Sequence, residues 1–306
     1  MGGDRHPVDA VMLARRAASF TRRSIKADSK QSGLRLAISM LDLTTLEGAD
    51  SPELVRALCQ RAIHPCPISL DKPVPPVAAV CVYPRLVPVV REALLGTGVL
   101  TASVATSFPS GQSPLDARLA ETEAAIAAGA DEIDMVISRG AFLSGRFDEV
   151  AAEVRAVQDL CGQTHLKVIL ETGELATPDN IRRCADLVIE AASRERDLAD
   201  GALFVKTSTG KISPAATMPS VLLLLEAVRD HFRATGVRIG VKPAGGIRKS
   251  KAALHMLVMV RETLGQDWLT PKLFRIGASS LLDDLVRQLL WTSRGHYAAM
   301  HDVAVT

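Results

Sequence analysis

The sequence predicts an α/β protein whose strands and helices close into a (β/α)8 TIM barrel. Eight short apolar runs follow one another along the chain, and each is followed by a helical pattern. Strands that alternate with helices of roughly 10 to 15 residues are typical of parallel βαβ units. Eight such units close naturally into a barrel. A doubly wound open sheet is the alternative, because periodicity alone does not report closure.

The predicted strands are apolar runs that contain β-branched residues. In chain order they are residues 37–42, 78–82, 102–107, 132–137, 166–171, 203–207, 238–242 and 273–276. The predicted helices are amphipathic stretches, several of which open with Pro or with a Ser or Thr cap. In chain order they are residues 52–63, 85–95, 114–128, 147–160, 178–191, 218–232, 251–263 and 279–290.

The chain is expected to form one domain over residues 1–306, because barrels of this class commonly form a single domain. The 306 residues contain no linker, low-complexity stretch or block of like charge at which the chain would divide. The barrel core is predicted from about residue 34 to about residue 291. An extra helix is expected before the core and a tail after it.

The composition favours small-molecule chemistry over nucleic-acid or membrane binding. The 36 Lys and Arg residues against 34 Asp and Glu residues give a formal net charge of +2, too small for a basic binding surface. No stretch of about 18 apolar residues occurs. The five cysteines form no C-x-x-C pair, which is typical of reduced, intracellular thiols. We expect a cytoplasmic protein and prefer this to a mitochondrial presequence, the alternative suggested by Arg15, Arg16, Arg22 and Arg23.

Two lysines lie inside short apolar runs that break into glycine and hydroxyl residues. Lys206 lies in FVKTSTGK and Lys242 in IGVKPAGGIR. An ammonium group in a buried strand needs an anionic partner, loses its proton, or both. A lysine that has lost its proton is a nucleophile. If the two amines lie about 6 Å apart, their repulsion at an effective dielectric near 20 is roughly 2.8 kcal/mol, or about two pKa units.

Other ionisable residues lie towards the ends of predicted strands, the part of a barrel that carries the active site. Asp42 ends the first strand, Asp134 lies on the fourth, and Lys167 and Glu171 lie on the fifth. The two-residue period of a strand predicts that Lys167 and Glu171 point to the same side. We expect these groups to converge with the two lysines, where Asp134 keeps one lysine charged and relays protons. The alternative is a charge-balanced layer that merely fills the barrel.

Glycine-rich turns after the last two predicted strands indicate a phosphate site. Loops at these positions commonly bind phosphate, because glycine amides and a helix N-terminus point donors at an anion. A tight turn without a ligand is the alternative. The candidate phosphate ligands, including one lysine after the sixth strand, are Lys211, Gly245, Gly246, Gly277, Ser279 and Ser280.

These motifs resemble the deoxyribose-phosphate aldolase family of class I barrel aldolases. The similarity covers about residues 41–285 and includes DLTTLEG, AAVCVYPR, EIDMVI, LKVILETGEL, FVKTSTGK, VKPAGGIR and RIGASSLL. The resemblance implies that Lys206 is the Schiff-base lysine, that Lys242 lowers its pKa, and that Asp134 relays protons. It also implies that the 5-phosphate of the substrate is held by Lys211, Gly245, Gly246, Ser279 and Ser280.

The reaction implied by this resemblance is the reversible cleavage of 2-deoxy-D-ribose 5-phosphate to D-glyceraldehyde 3-phosphate and acetaldehyde, in deoxyribonucleoside catabolism. We expect a sugar phosphate as the ligand, no cofactor, no metal, no nucleic acid and no membrane partner. We also expect a homo-oligomer, a dimer or a tetramer. Some family members use a C-terminal tyrosine in proton transfer, and the tail of this chain contains Tyr297 well before its end.

Other function classes would require different residues. A metal-dependent aldolase would need His and carboxylate ligands at the strand ends. The histidines lie elsewhere in the predicted fold, and His165, for example, precedes its predicted strand. A catalytically silent sugar-phosphate-binding barrel, or a structural scaffold, is the non-enzymatic alternative. Both are disfavoured because Lys206, Lys242 and Asp134 are all present.

Overall fold

Eight parallel strands form the centre of the computed structural model, which describes residues 7–194 and 198–294. They pair in the order β7-β6-β5-β4-β3-β2-β1-β8. The strands are β1 (Leu41–Thr44), β2 (Ala79–Val82), β3 (Leu100–Ala105), β4 (Glu132–Val136), β5 (His165–Ile169), β6 (Leu203–Lys206), β7 (Gly240–Lys242) and β8 (Ile276–Gly277).

Main-chain hydrogen bonds join the first and last strands of this order and complete the ring. Val241 N donates to Leu273 O over 3.0 Å, and Arg275 N donates to Val241 O over 3.1 Å. Gly277 N donates to Pro243 O over 2.9 Å. The predicted (β/α)8 TIM barrel is confirmed.

Helices follow every strand and cover the barrel. The helices are α1 (Ala10–Phe20), α2 (Ala27–Ser39), α3 (Pro52–Ile63), α4 (Val87–Ala93), α5 (Leu115–Ala127), α6 (Arg139–Leu143), α7 (Phe147–Cys161), α8 (Pro178–Ser193), α9 (Met218–Thr235), α10 (Ser250–Leu264) and α11 (Leu281–Arg294). In the part of the chain that is described, no helix combines the length and apolar character needed to cross a bilayer. The predicted tail beyond residue 294, including Tyr297, lies outside the described residues.

Helix starts were well predicted where a hydroxyl residue precedes a proline or an apolar run. The side chains of Ser51, Thr177 and Thr217 accept hydrogen bonds from backbone amides in the first turns of α3, α8 and α9. These caps satisfy amide groups that have no partner within the helix. Each of the three helices also carries proline in its first turn, where the missing amide has no cost.

The first predicted strand is wrong at its beginning, and two helices rather than one precede the barrel. Residues 37–39 are the end of α2, and β1 begins only at Leu41. Leu34, Ala37 and Ile38 are all buried, and their spacing is that of one helical face. Because the run is short and apolar, its period does not distinguish a strand from the end of a buried helix.

The last predicted strand, residues 273–276, is also shifted. Leu273 N and Phe274 N both donate to Thr270 O, over 3.0 and 2.9 Å, so this segment begins in a turn. The strand β8 itself covers only Ile276–Gly277. Its pairing partners in β1 are Leu41 and Asp42.

The two faces of the strands belong to different apolar clusters. Ile133, Met135 and Val168 belong to the large core that the covering helices complete. A second, smaller cluster contains residues of the alternate face together with two loop residues: Ala79, Cys81, Ala102, Val104, Val136, Ile169, Leu46 and Phe108. Successive side chains of a strand point to opposite faces, so this second cluster lines the lumen. The β2 and β3 side of the lumen therefore has an apolar wall, which Val136 of β4 and Ile169 of β5 extend.

Candidate active site

Lys206 and Lys242 come together in the lumen as predicted. They are register partners on β6 and β7. Each amino group lies 2.7 Å from the same atom, Asp134 Oδ2. The two nitrogens can therefore be no further apart than twice that distance. Asp134 and Lys242 are fully buried, and Lys206 is 3% exposed.

Asp42 and Lys167 join the same site. Lys242 Nζ lies 2.6 Å from Asp42 Oδ2. Lys167 Nζ donates to Asp134 Oδ1 over 3.1 Å and lies 3.6 Å from Asp42 Oδ2. Asp134 and Lys167 are register partners on β4 and β5, which explains why their side chains meet. These two supporting residues therefore lie where the sequence predicted.

Glu132 and Arg275 also belong to the site, and the sequence reasoning missed both. Arg275 binds Glu132 with both terminal nitrogens, over 2.9 and 3.2 Å, and binds Asp42 Oδ1 over 2.6 Å. Lys167 Nζ binds Glu132 Oε2 over 2.5 Å. Glu132 could have been found, because it lies two residues before Asp134 and so on the same face of β4.

We refer to these seven side chains as the lumen cluster: Asp42, Glu132, Asp134, Lys167, Lys206, Lys242 and Arg275. All are buried. Three cations each contact at least two carboxylates: Arg275 contacts Asp42 and Glu132, Lys167 contacts all three acids, and Lys242 contacts Asp42 and Asp134. Among the described residues, Lys206 contacts one carboxylate, that of Asp134.

This difference in partners separates the proton affinities of the cations. Burial lowers the pKa of Lys206; Asp134 opposes this effect and the positive charge of Lys242 reinforces it, so that the pKa stays below its ordinary value. Burial also acts on Lys242, but Asp134 and Asp42 outweigh it and raise the pKa of that amine. The same balance raises the pKa of Lys167, through Asp134 and Glu132. Lys206 is therefore the lysine of this cluster that most readily becomes a neutral nucleophile.

Asp134 is held in its ionised form. Burial opposes the charge of this carboxylate, yet Lys167, Lys206 and Lys242 together hold its pKa well below the ordinary value. The same competition holds the pKa of Glu132 well below its usual range, through Arg275 and Lys167. Both carboxylates therefore accept hydrogen bonds over the whole neutral pH range.

Glu171 does not join the lumen cluster, which corrects the predicted pairing with Lys167. The strand β5 ends at Ile169, and Glu171 has a φ of +57°. The alternation of a strand does not extend through a left-handed residue. The carboxylate of Glu171 instead accepts hydrogen bonds from the amide and hydroxyl of Thr209, in the loop after β6. Glu171 thus orders the loop that follows Lys206.

The predicted phosphate-binding turns approach one another above the lumen cluster. Ala244 and Gly277 form an isolated β-bridge, and Gly245 N donates to Gly277 O over 3.4 Å. Gly245 has a φ of +83°, and a Cβ there would lie 2.9 Å from the Cα of Gly210. Glycine at 245 therefore permits the loops after β6 and β7 to meet. Gly246 follows with a φ of +78° and is exposed.

The hydroxyl of Ser279 is used within the protein. Ser279 Oγ donates to Thr44 O over 2.6 Å and accepts from Thr44 N over 2.9 Å. It therefore ties the turn after β8 to the end of β1. Ser280 is exposed just before α11.

Lys211 and Gly277 occupy the other two predicted positions. Lys211 Nζ lies 2.7 Å from Glu47 Oε1, in the loop after β1, and its side chain is 31% exposed. A Cβ on Gly277 would lie 3.1 Å from Lys242 Cε and 2.8 Å from the Cβ of Ala244. Glycine at position 277 therefore leaves room for Lys242 to reach its two carboxylates.

Two further groups bear on the chemistry of the site. Cys81 lies in the apolar wall, and burial raises the pKa of its thiol to about 11. His165 opens β5 rather than preceding it, and its Nδ1 lies 3.3 Å from Glu132 Oε1. Over the described residues, no three His, Cys, Asp or Glu side chains are arranged to hold a metal ion.

Comparison with known proteins shows which family the chain belongs to. The family model described as DeoC/LacD family aldolase matches residues 36–286. The chain belongs to this aldolase family. The mouse protein named deoxyribose-phosphate aldolase is 43% identical over 305 residues, with 97% of this chain and 93% of the mouse protein covered. The human protein of the same name is 41% identical over 310 residues, covering 98% of this chain and 93% of the human protein.

Solved structures share the fold of this aldolase. A structure titled as a putative deoxyribose-phosphate aldolase from Toxoplasma gondii has a TM-score of 0.73 at 24% identity, covering 88% of this chain and 98% of that chain. The tetrameric deoxyribose phosphate aldolase from Aeropyrum pernix has a TM-score of 0.59 at 25% identity, covering 91% and 97%. The mouse and human relatives are named as aldolases, so this family member is a lyase, and the lumen cluster lies at the centre of its barrel.

Proposed function

We propose that this aldolase reversibly cleaves 2-deoxy-D-ribose 5-phosphate to D-glyceraldehyde 3-phosphate and acetaldehyde through a Schiff base on Lys206. The observation that carries the proposal is the contact pattern of Lys206: a buried amine with one anionic partner, beside a second amine that keeps its proton. The names of the mouse and human relatives support this choice of substrate.

In the first stage, the neutral amine of Lys206 adds to C1 of the open-chain sugar. The resulting carbinolamine loses its hydroxyl as water, with a proton delivered from the charged Lys242, and a protonated imine forms. The nitrogen of this imine can accept an electron pair. The buried position of Lys206 at the end of β6 fits the attack of one amine on a carbonyl held in the lumen.

In the second stage, the C2–C3 bond breaks. A base removes the proton of the C3 hydroxyl, the electrons of the C2–C3 bond move to the imine, and D-glyceraldehyde 3-phosphate leaves. The enamine that remains takes a proton at C2, and water then hydrolyses the imine to acetaldehyde and free Lys206. Asp134 and Lys242, which share one hydrogen bond, are the proposed proton relay, acting directly or through a water of the substrate complex.

The phosphate is proposed to lie in the turns after β6, β7 and β8. The amides of Gly245 and Gly277 donate to protein carbonyls and fix the shape of these turns, whereas Gly246 has open space around it. The helix α11 begins directly after Ser279 and Ser280. Backbone amides and a helix N-terminus suit a phosphate dianion. Because the hydroxyl of Ser279 is bound to Thr44, its amide is the proposed donor to phosphate.

The test is reductive trapping with acetaldehyde and borohydride, followed by peptide mass spectrometry, beside a coupled assay for D-glyceraldehyde 3-phosphate. The proposal requires one reduced adduct on Lys206 and product release in the assay. Lys206→Arg keeps the positive charge but should lose both signals. Turnover without an adduct on Lys206 would reject the Schiff base, and an adduct without release of product would favour the silent sugar-phosphate-binding barrel.

We also propose a cytoplasmic homo-oligomer, a dimer or a tetramer, that needs no cofactor and no metal. The tetramer named for the Aeropyrum pernix protein supports the oligomer. Light scattering at several concentrations would test the assembly, and undiminished turnover in EDTA would test the independence from metal.

A further inference from the structure

Glu132 lies at the base of the lumen cluster and does not contact Lys206. It is fully buried, and its two oxygens accept hydrogen bonds from Arg275 over 2.9 and 3.2 Å and from Lys167 over 2.5 Å. His165 reaches it from the first position of β5. Glu132 therefore holds two of the three cations that bridge carboxylates.

Arg275 fixes the other side of the same base. Its Nη1 joins Asp42 Oδ1 to Glu132 Oε2, over 2.6 and 3.2 Å. The guanidinium lies 5.9 Å from the ring centre of Phe204, on the strand that carries Lys206. A Cβ on Gly240 would lie 2.3 Å from that ring, so the ring has little freedom to move. Arg275 is thus held in place from two directions.

The contacts of this base reach Lys206 by two routes. Glu132 holds Lys167, which donates to Asp134 Oδ1, and the other oxygen of Asp134 receives Lys206. Arg275 holds Asp42, which binds Lys242, and Lys242 donates to the oxygen that Lys206 uses. Each route therefore restricts both the position and the charge of the partners of Lys206.

A count of the charges in the lumen cluster also singles out Lys206. With every group ionised, the described lumen cluster has four cations and three anions. The bridging contacts described above pair three cations with the three carboxylates and leave Lys206 as the excess cation. A change of one charge at the base alters this balance without removing any contact of Lys206.

We propose that Glu132 and Arg275 are positioning residues, which determine that Lys206 is the amine left with a single carboxylate partner. This inference rests on the proposed Schiff-base function. Other titratable groups facing the site are Cys81 on the apolar wall and His165 beneath Glu132. Both remain unchanged in the variants used below.

The test compares Glu132→Gln with Arg275→Met. Lys206 reacts when neutral, so loss of the negative charge should move the pH midpoint of its reaction to lower pH. Loss of the positive charge should move it to higher pH. Each shift should be about one pH unit. Shifts in the same direction, or none in folded variants, would overturn the proposal, because a merely structural role would lower the rate without opposite displacements.

The double variant Glu132→Gln/Arg275→Met restores the net charge of the lumen cluster. Its midpoint should lie between those of the single variants and near that of the wild type. Arg275→Lys keeps the charge and removes the bidentate fork. It should keep the wild-type midpoint while its turnover falls. If a single variant does not fold, these two variants decide: a displaced midpoint in both of them would overturn the proposal.

Two readouts keep this inference distinct from the proposed function. The rate of adduct formation on Lys206 with acetaldehyde, trapped by borohydride at each pH, reports the amine itself. Turnover of 2-deoxy-D-ribose 5-phosphate reports the substrate. Opposite shifts in trapping without turnover would support the positioning role and reject the proposed substrate, whereas normal turnover with unshifted trapping would do the reverse.

Discussion

The amino groups of Lys206 and Lys242 each lie 2.7 Å from one shared oxygen of Asp134. Only one of the two has a further carboxylate in contact among the described residues, since Lys242 also binds Asp42. The two lysines are neighbours in register on adjacent strands and have similar burial. Their opposite pKa shifts therefore follow from their partners rather than from depth in the barrel.

Replacement of Lys242 by Leu should move the pH dependence of turnover to higher pH. The positive charge of Lys242 helps to keep the pKa of Lys206 low, and its removal also leaves Asp134 Oδ2 to Lys206 alone. Activity at neutral pH should fall about tenfold for each pH unit of displacement. The measurement is a pH profile of turnover. Lys249→Leu, at a side chain that is 78% exposed, is the control and should leave the profile unchanged.

Replacement of Asp134 by Asn should reduce both activity and stability. Three buried lysines would lose a shared anion, and removal of one partner from a buried ion pair typically costs about 3 to 5 kcal/mol. Loss of the proton relay should lower turnover by about 10² to 10⁴. Urea unfolding and kinetics measure the two effects. Asp267→Asn, at a 75% exposed carboxylate, should change neither; a stable Asp134→Asn protein would contradict the ionic role.

Replacement of Ser279 by Ala should destabilise the protein, whereas Ser280→Ala should not. The hydroxyl of Ser279 bonds to both backbone groups of Thr44, and each net hydrogen bond contributes about 1 kcal/mol. The Michaelis constant for the phosphate substrate should rise in Ser279→Ala because the turn after β8 loses its anchor. Thermal unfolding and steady-state kinetics on the two variants provide the comparison. Equal stability of the two variants would show that the Thr44 contact contributes nothing.

The lumen cluster should also make the protein sensitive to acid. Asp134 and Glu132 have folded-state pKa values well below the ordinary 3.8 and 4.5. Their stabilising contribution is therefore complete above about pH 4.5 and is lost as the pH falls further. The loss should approach about 1.4 kcal/mol per pH unit for each proton bound on unfolding. Urea unfolding at successive acid pH values measures it, and Glu132→Gln should show a smaller slope than the wild type.

The sequence predicted much of the fold and the central part of the site. Lys206, Lys242 and Asp134 lie in apolar runs with clear strand character. The side of the strand to which each side chain points, and its position along the strand, could therefore be predicted. Arg275 could not be assigned, because its burial depends on Asp42 and Glu132, which are far away in sequence. An isolated arginine in a short run gives no sign of such partners.

Other errors arose where the local pattern was ambiguous or the backbone departs from regular geometry. The end of α2 has the composition of a strand but the burial of a helix. The left-handed conformation of Glu171 directs its carboxylate to Thr209 instead of the lumen. Glutamate is not a residue type that predicts a positive φ, so the sequence gives no sign of this conformation. The contact between Ser279 and Thr44 likewise depends on ring closure rather than on any local sequence pattern.

The unequal sharing of carboxylates has an evolutionary consequence. Lys167, Lys242 and Arg275 each neutralise buried acids from different strands, so the loss of any one of them would leave a buried carboxylate uncompensated and destabilise the fold, whether or not the protein is catalytic. Loss of Lys206 would not have this effect, because three cations and three carboxylates would remain in the lumen cluster. In distant barrels of this type, the presence of residues equivalent to Lys167, Lys242 and Arg275 is therefore weak evidence for catalysis. The presence or absence of a lysine equivalent to Lys206 is the better indicator.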